Sequence, residues 1–124
     1  MLLVGTGTGL APLLAIVKTA LSKLHKGKIT LIHGGCHDND IYYAEELETL
    51  ASFYENFAYA PCVLKTNGAY PEANIFDNTQ HYLTTNMKNT KVYVCGPKET
   101  TNKLKTKVFL AGVPSARIYS DAFF

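Results

Sequence analysis

Along this chain, short apolar runs alternate with longer segments in which apolar residues recur at every third or fourth position. The short runs predict five strands, at 2–4, 28–33, 57–64, 91–95 and 116–119. The longer segments predict four helices, at 11–25, 40–51, 75–87 and 99–111. Regular alternation of strands and helices predicts a parallel sheet with helices on both faces. We therefore expect an α/β fold of three layers, with an open Rossmann-like sheet of about five strands.

Individual residues refine this prediction. Pro61 lies inside the third predicted strand, and a residue that donates no backbone hydrogen bond favours an edge position. Asp40 is placed to cap the second helix, with Tyr43, Leu47 and Leu50 on its inner face. The sequence thus predicts which strand lies at the edge of the sheet and where the second helix begins.

The length and composition fit one globular domain. The chain has 124 residues, of which 47% are hydrophobic and 18% charged, and its formal net charge is +2. That charge is too small for a surface that binds nucleic acid, and no apolar run is long enough to span a membrane. Three cysteines, an odd number without a CxxC pair, indicate a reducing compartment, so we expect a cytoplasmic protein.

The place to search for function is the carboxyl edge of the predicted sheet, where ligands bind in open parallel sheets. Four segments follow predicted strands and lie at this edge, at 5–9, 34–37, 65–68 and 95–97. We expect the functional residues to come mainly from these four segments.

The segment after the first strand carries the strongest chemical signal. Residues 5–9 read Gly-Thr-Gly-Thr-Gly, and alternating glycines let a backbone turn tightly and approach a ligand without Cβ contact. The next helix presents free N–H groups and the positive end of its dipole, which suit a phosphate. Thr6 and Thr8 add hydroxyl donors, and Pro12 fits the first helical turn. A turn with a purely structural role is the alternative.

The spacing of this turn separates it from other phosphate-binding motifs. It reads GxGxG and not GxGxxG, and residues 33–36 end the second strand without the acid that commonly holds a ribose. No Gly-Lys-Ser/Thr follows the turn, so it is not a P-loop. GxGxG also resembles the first motif of adenosylmethionine-dependent methyltransferases, which usually need the same missing acid.

Two further segments carry candidate chemistry. Cys95, Gly96 and Pro97 end the fourth strand, and they place a thiol near the glycine turn if the first and fourth strands are neighbours. A buried small hydrophobe is the plainer interpretation of such a cysteine. The C-terminal residues 119–124 combine an acid with two terminal aromatics that suit stacking on a planar ring. A frayed tail is the alternative for that segment.

Together these motifs resemble one family. The segments GTGTGLAP, HGGCHDNDIYYAEEL, VYVCGP and IYSDAFF are similar to the NAD(P)-binding domain of ferredoxin–NADP reductase-like flavoproteins. Within that family the chain most resembles flavin reductases and the reductase components of oxygenases. The resemblance covers essentially the whole chain. It implies an NAD(P)H-dependent oxidoreductase domain that passes hydride from nicotinamide to FAD or FMN, with electrons passed onward to an acceptor.

The resemblance also implies roles for the matched positions. Cys95 would lie against the nicotinamide and Asp121 near the flavin ring, which makes these two the candidate catalytic residues. Phe123 matches a terminal aromatic that covers the flavin. The candidate cofactor-binding residues are Gly5, Thr6, Gly7, Thr8, Gly9, Pro12, Gly34, Cys36, Lys65, Gly96, Pro97 and Phe123.

Two places depart from the family pattern. Cys36 stands where the family commonly carries an arginine that reaches a cofactor phosphate. After the third strand, Leu64 and Lys65 replace the Ser-Arg pair that binds the 2′-phosphate in NADP-using members. A lysine pairs with phosphate as a point charge rather than as a fork. We therefore expect NADH or NADPH as the cofactor and favour NADH.

The flavin-binding β-barrel, which in this family precedes the nucleotide domain and carries Arg-x-Tyr-Ser/Thr, is missing. Residues 117–120 match that motif literally but fall in the last predicted strand. We expect residues 1–124 to be the NAD(P)-binding, C-terminal half of a larger flavoprotein, whose own flavin-binding domain holds most of the FAD or FMN. Alone, the chain should bind nucleotide weakly and not turn over. The expected acceptor is a ferredoxin, an oxygenase component or free flavin.

Other interpretations stay open. A methyltransferase domain predicts stabilisation by adenosylmethionine. A non-catalytic nucleotide-sensing module predicts NAD(H) binding without a flavin barrel in the parent gene. His33, Cys36 and His37 carry ligand-type side chains, but without a second ligand cluster we expect no metal site. The lysines of the fourth helix are interpreted as a solvated face.

Overall fold

The computed structural model describes residues 1–84 and 87–123, with the backbone alone at Thr8, Ala122 and Phe123. The strands in these residues are β1 (Leu2–Thr6), β2 (Ile29–His37), β3 (Phe57–Lys65), β4 (Val92–Pro97) and β5 (Ile118–Phe123). The α-helices are α1 (Leu10–Ser22), α2 (Ala44–Phe53), α3 (Ile75–Tyr82) and α4 (Lys98–Leu110). Short 3-10 turns span Gly7–Gly9, Asp38–Asp40 and Ser115–Arg117.

The strands form one parallel sheet in the order β3-β2-β1-β4-β5, which confirms the predicted α/β architecture. The order reverses at β1, which lies at the centre with β2 on one side and β4 on the other. Such a reversal leaves a crevice at the carboxyl ends of the central strands. β3 lies at the edge, as Pro61 predicted.

Helices cover both faces because side chains of the central strand alternate between two apolar cores. Leu3 belongs to the core that includes Leu47 of α2. Its neighbour Val4 belongs to the opposite core, with Ile75 of α3 and Leu104 of α4. Burying an aliphatic side chain of this size contributes about 1.5–3 kcal/mol. The predicted three layers are therefore held from both sides of the sheet.

β2 is longer than the sequence predicts, because the strand does not stop at its glycine pair. Gly34 pairs with Cys62 and Gly35 with Val63, so the ladder with β3 continues as far as His37. Glycine weakens a strand interior, but continued pairing with β3 and close packing of α3 keep these residues extended. The segment expected to be a loop after the strand is thus a rigid part of the sheet edge.

The second helix begins at Ala44 and not at Asp40, which corrects the predicted cap. The Asp40 carboxylate instead accepts hydrogen bonds from the backbone N–H groups of His37 at 2.9 Å and Cys36 at 3.2 Å. A short acidic side chain that bonds to nearby backbone in this way stabilises a turn. Tyr43 has a φ of 61° and is 51% exposed, so it does not lie on the inner face of α2.

The loop between β3 and α3 runs back along the outer edge of β3. The Val63 N–H donates to the Pro71 carbonyl at 3.0 Å, and the Ala73 N–H donates to the Val63 carbonyl at 2.9 Å. This pairing shields an edge strand from unwanted partners. It also delivers the chain to Asn74, the N-cap residue of α3, at the carboxyl edge of the sheet.

Two further boundaries differ from the sequence prediction. α3 ends at Tyr82, short of the predicted residue 87, and β5 begins at Ile118 because the preceding residues form a 3-10 turn. Across the described residues, none of the helices combines the length and apolar character needed to cross a bilayer.

Candidate dinucleotide-binding site

Three of the predicted site residues lie in one row across the centre of the sheet. Gly5 on β1 pairs with Cys95 on β4, and Cys95 pairs with Asp121 on β5. On its other side, Gly5 pairs with His33 on β2. The glycine turn and the thiol therefore follow neighbouring strands, which confirms that part of the prediction.

A cleft of about 660 Å³ opens at the carboxyl edge, where the strand order reverses. Predicted cofactor-binding residues from three segments line it, namely Thr6, Gly7, Gly34, Cys36 and Pro97. Apolar side chains from β3 and α3 form much of its wall, namely Leu64, Ile75 and Phe76. A cleft of several hundred Å³ with apolar walls and few polar groups is typical of a site for a nucleotide-sized ligand.

The three glycines of the first turn have different surroundings. A Cβ at Gly5 would lie 2.7 Å from the Leu13 side chain, and a Cβ at Gly9 would overlap the Cys95 carbonyl. These two glycines let α1 pack closely on the sheet. Gly7 has a φ of 55° and open space where its Cβ would be. Of the three, Gly7 alone has the geometry that close approach of a ligand requires.

A fourth glycine fixes the floor of the cleft on the β2 side. A Cβ at Gly34 would lie 2.7 Å from Cδ1 of Ile75, at the start of α3. The helix therefore rests directly on the strand backbone. This close packing brings Asn74 and Phe76 to the wall of the cleft.

The turn after β4 is packed against the turn after β1. Gly96 has a φ of 154°, and a Cβ there would lie 2.6 Å from the Thr6 hydroxyl oxygen. The Thr101 hydroxyl donates to the Gly96 carbonyl at 3.2 Å. The Thr6 hydroxyl oxygen is buried and has no hydrogen-bond partner within the described residues. It is therefore an unsatisfied buried polar atom in a residue that lines the cleft.

Cys95 is part of the hydrophobic core and does not line the cleft. Its side chain is 3% exposed and clusters with Leu3 and Leu10 on the α1 face of the sheet. Burial raises the pKa of the Cys95 thiol, and the negative charge of Asp121 raises it further. The thiol is therefore neutral at physiological pH, which suits packing and not nucleophilic attack. Asp121 itself is exposed.

Four other predicted residues are not observed among the described side chains at the cleft. The side chains of Thr8 and Phe123 lie outside the described residues, although the backbone of Phe123 pairs with Pro97. Pro12 lies in the first turn of α1, as expected, and is half-buried. Lys65 is exposed at the end of β3. Of the described side chains, neither Pro12 nor Lys65 lines the cleft.

Two aromatic side chains lie beneath the first turn: Tyr42, to which the sequence analysis gave no role, and His33, which it considered only as a metal ligand. The Tyr42 hydroxyl donates a hydrogen bond of 2.5 Å to the Gly7 carbonyl. Its ring packs edge-on against His33, with ring centres 5.4 Å apart and planes at 88°. His33 is fully buried, and burial lowers its pKa to about 4. The Gly7 backbone opposes this shift, although neither ring nitrogen makes a regular hydrogen bond to a described residue.

An acidic residue missed by the sequence analysis joins the loops after β2 and β3. The Asp38 carboxylate accepts from the Thr66 hydroxyl at 3.0 Å and from the Asn67 N–H at 2.7 Å. Hydrogen bonding from the Asn67 backbone holds the pKa of Asp38 below its usual value, although desolvation opposes this effect and the Thr66 hydroxyl assists it. A negative charge therefore occupies the donors that directly follow Lys65.

The reversed strand order, the cleft at its carboxyl edge and the open Gly7 turn define a dinucleotide-binding domain of the open α/β class. Comparison with known proteins specifies the family. The chain belongs to the oxidoreductase NAD-binding domain family, whose sequence pattern matches residues 3–106.

Individual known proteins are similar to this chain over nearly its whole length. A ferredoxin–NAD(P)(+) reductase component of naphthalene 1,2-dioxygenase/salicylate 5-hydroxylase systems from Ralstonia sp is 32% identical over 100% of this chain. A probable flavin reductase from Photobacterium leiognathi is 30% identical over 99% of it. The crystal structure of an Amycolatopsis cytochrome P450 reductase superposes on 99% of this chain and 37% of its own, with a TM-score of 0.89 and 25% identity. The likenesses confirm the predicted resemblance and favour the reductase interpretation over the methyltransferase one.

The chain is shorter than these relatives. It spans 38% of the Ralstonia protein and 53% of the Photobacterium protein. The matched region is thus one part of longer reductases.

Proposed function

We propose that this chain is the NADH-binding domain of a larger flavin-dependent reductase. The observation that carries the proposal is Gly7, which opens on the cleft at the amino end of α1 with a positive φ and no neighbour on its Cβ side. Backbone N–H groups at this position are donors for a diphosphate, and the helix dipole favours its negative charge. The family match supports the same ligand class.

Other residues of the cleft fit the remaining parts of a dinucleotide. Thr6 lines the cleft beside the turn of Gly96, at the position that we assign to the nicotinamide half. The apolar wall formed by Leu64 and Phe76 suits a flat base. Cys95, a neutral thiol in the core at the central row, adds no charge at this end of the strands. When bound, the nicotinamide supplies hydride, and the chain contributes binding and orientation.

The Asp38 network supports NADH over NADPH. The resemblance implies that a 2′-phosphate binds after the third strand. There the donors of Thr66 and Asn67 already serve the Asp38 carboxylate. A phosphate at that position would lose those donors and meet a like charge. The exposed Lys65 offers only a flexible point charge in compensation.

The proposal extends to the parent protein. A flavin-binding domain outside these residues holds FAD or FMN, and Asp121 at the end of the central row faces that domain. The reduced flavin then passes electrons to a ferredoxin, an oxygenase component or free flavin. The three free cysteines suit a reducing, cytoplasmic environment. The relatives support this arrangement, since their longer chains are reductases.

Titration of the 124-residue chain with NADH and NADPH tests the proposal. We expect tighter binding of NADH. We expect Asp38→Asn to raise the affinity for NADPH relative to NADH by about 5-fold, the effect of removing one like charge near a surface. Asp40→Asn is the matched control, because its carboxylate lies in the same turn but, among the described residues, bonds only to residues 36 and 37.

The outcomes separate the alternatives. Tighter NADPH binding by the wild-type chain would reverse the cofactor preference. Thermal stabilisation by adenosylmethionine and not by NADH would reject the proposal in favour of a methyltransferase domain. NADH binding together with a parent gene that encodes no flavin-binding barrel would instead indicate a nucleotide-sensing module.

A further inference from the structure

We propose that Tyr42 is a positioning residue that sets the first glycine turn in its anion-binding conformation. The inference rests on the proposed function, since it concerns how the same cleft holds a diphosphate. Its basis is the hydrogen bond from the Tyr42 hydroxyl to the Gly7 carbonyl, which joins positions far apart in sequence.

The hydrogen bond acts on the peptide that the diphosphate must approach. The Gly7 carbonyl and the N–H of residue 8 belong to one planar trans peptide, so they point in opposite directions. Rotation of this peptide changes ψ of Gly7 and φ of residue 8, and a glycine without Cβ leaves its own backbone the least restricted. Rotation would turn a carbonyl oxygen towards the anion in place of an N–H. The Leu10 N–H donates to the same oxygen within the 3-10 turn, and the Tyr42 hydroxyl adds a second hydrogen bond that opposes the rotation.

The position of Tyr42 is itself fixed by its neighbours. Its ring packs edge-on against the buried His33, which is paired with Gly5 in the sheet. The next residue, Tyr43, has a φ of 61°, a conformation that is uncommon for a bulky side chain. This left-handed residue places Tyr42 in the wall of the cleft and leaves Tyr43 51% exposed. Backbone strain of this kind persists where the surrounding structure requires it.

Two adjacent tyrosines provide a matched pair of variants. Tyr42→Phe removes one hydroxyl and keeps the ring packing, so the chain retains its fold. Tyr43→Phe removes an equivalent hydroxyl for which the described residues provide no partner. A merely structural role for Tyr42 would lower the melting temperature without discriminating between ligands. A positioning role affects only ligands that carry the diphosphate.

The experiment measures the binding of NADH, ADP and adenosine to the 124-residue wild-type chain and to both variants. We expect Tyr42→Phe to weaken NADH and ADP alike by about 5-fold, the usual effect of one neutral hydrogen bond. Adenosine binding and the affinities of Tyr43→Phe should be unchanged. In amide NMR spectra, the shift that ADP induces at residue 8 should shrink in Tyr42→Phe alone.

The possible results distinguish the inference about Tyr42 from the proposed function. Equal ADP affinity in Tyr42→Phe and wild type would overturn the inference, as would an equal loss for adenosine and ADP. Failure of the wild-type chain to bind NADH would instead overturn the proposed function. If ADP still bound to that chain, a loss in Tyr42→Phe would support the inference about the turn. An unchanged residue 8 shift in a folded Tyr42→Phe variant would also count against it.

Discussion

The two turns that follow the central strands are built alike but exposed differently. Each has a carbonyl that accepts a side-chain hydroxyl, Gly7 from Tyr42 and Gly96 from Thr101. Gly7 opens on the cleft, whereas Gly96 is packed against Thr6 and follows a thiol in the core. The first turn is therefore suited to contact an anion, and the second supports the first. Variants at each turn test this division.

The largest expected effect comes from separating the two turns. Gly9→Ala would drive a methyl group into the Cys95 carbonyl, and the backbone cannot yield without shifting α1 or β4. Overpacking of this kind costs about 3 kcal/mol. Gly68→Ala is the control, because its Cβ would meet open space and only its φ of 108° opposes the change. Urea unfolding should place the Gly9 variant well below the Gly68 variant. Equal stability would show that the turns are not tightly joined.

A pH-dependent effect should follow from His33 beneath the first turn. The pKa of His33 is about 4 in the folded chain, against an ordinary value of 6.5 that applies to the unfolded chain. Between these two pH values, only the unfolded chain binds the proton. Stability should therefore fall as pH decreases from 6.5 towards 4, by at most about 1.4 kcal/mol per pH unit. Urea unfolding across this range measures the slope. His33→Leu should have a smaller slope, and an unchanged slope would assign the effect to other groups.

The smallest effect on binding is expected from the second turn. Cys95→Ala removes a buried thiol that does not line the cleft, so NADH affinity should stay within about 2-fold of wild type. In the parent flavoprotein, the same change should slow flavin reduction, because the smaller side chain loosens the turn after β4 that supports the first turn. Stopped-flow absorbance of the flavin measures this step. Reduction at the wild-type rate would remove Cys95 from the site.

The predictable parts of the molecule are those that local pattern controls. Apolar periodicity predicted the strands and helices, and Pro61 predicted the edge strand. The separate purposes of Gly5, Gly7 and Gly9 were not predictable, because they depend on what each missing Cβ would touch in the folded chain. Within the described residues, the glycine spacing located the turn. It did not show that Gly5 and Gly9 allow close packing, whereas Gly7 allows a ligand to approach.

The sequence also did not show which of two nearby polar residues makes the structural contact. The periodic pattern put Tyr43 on the inner face of α2, but its left-handed backbone turns Tyr42 inward instead. Asp40 had the right residue type for a helix cap, yet the helix starts later and Asp38 makes the contact between loops. Both differences arise from the conformation of one short turn, which single residue preferences do not determine.

The contact of Ile75 with the backbone at Gly34 has a consequence for redesign. Even a methyl group at position 34 would lift α3 from the sheet, so the depth of the groove cannot be adjusted by ordinary substitution there. Attempts to change which nucleotide is accepted must therefore begin at the rim, where Lys65 is exposed and the half-buried Asp38 joins two loops. The packing of α3 on β2 fixes the centre of the cleft, so selectivity between nucleotides depends on residues at its rim.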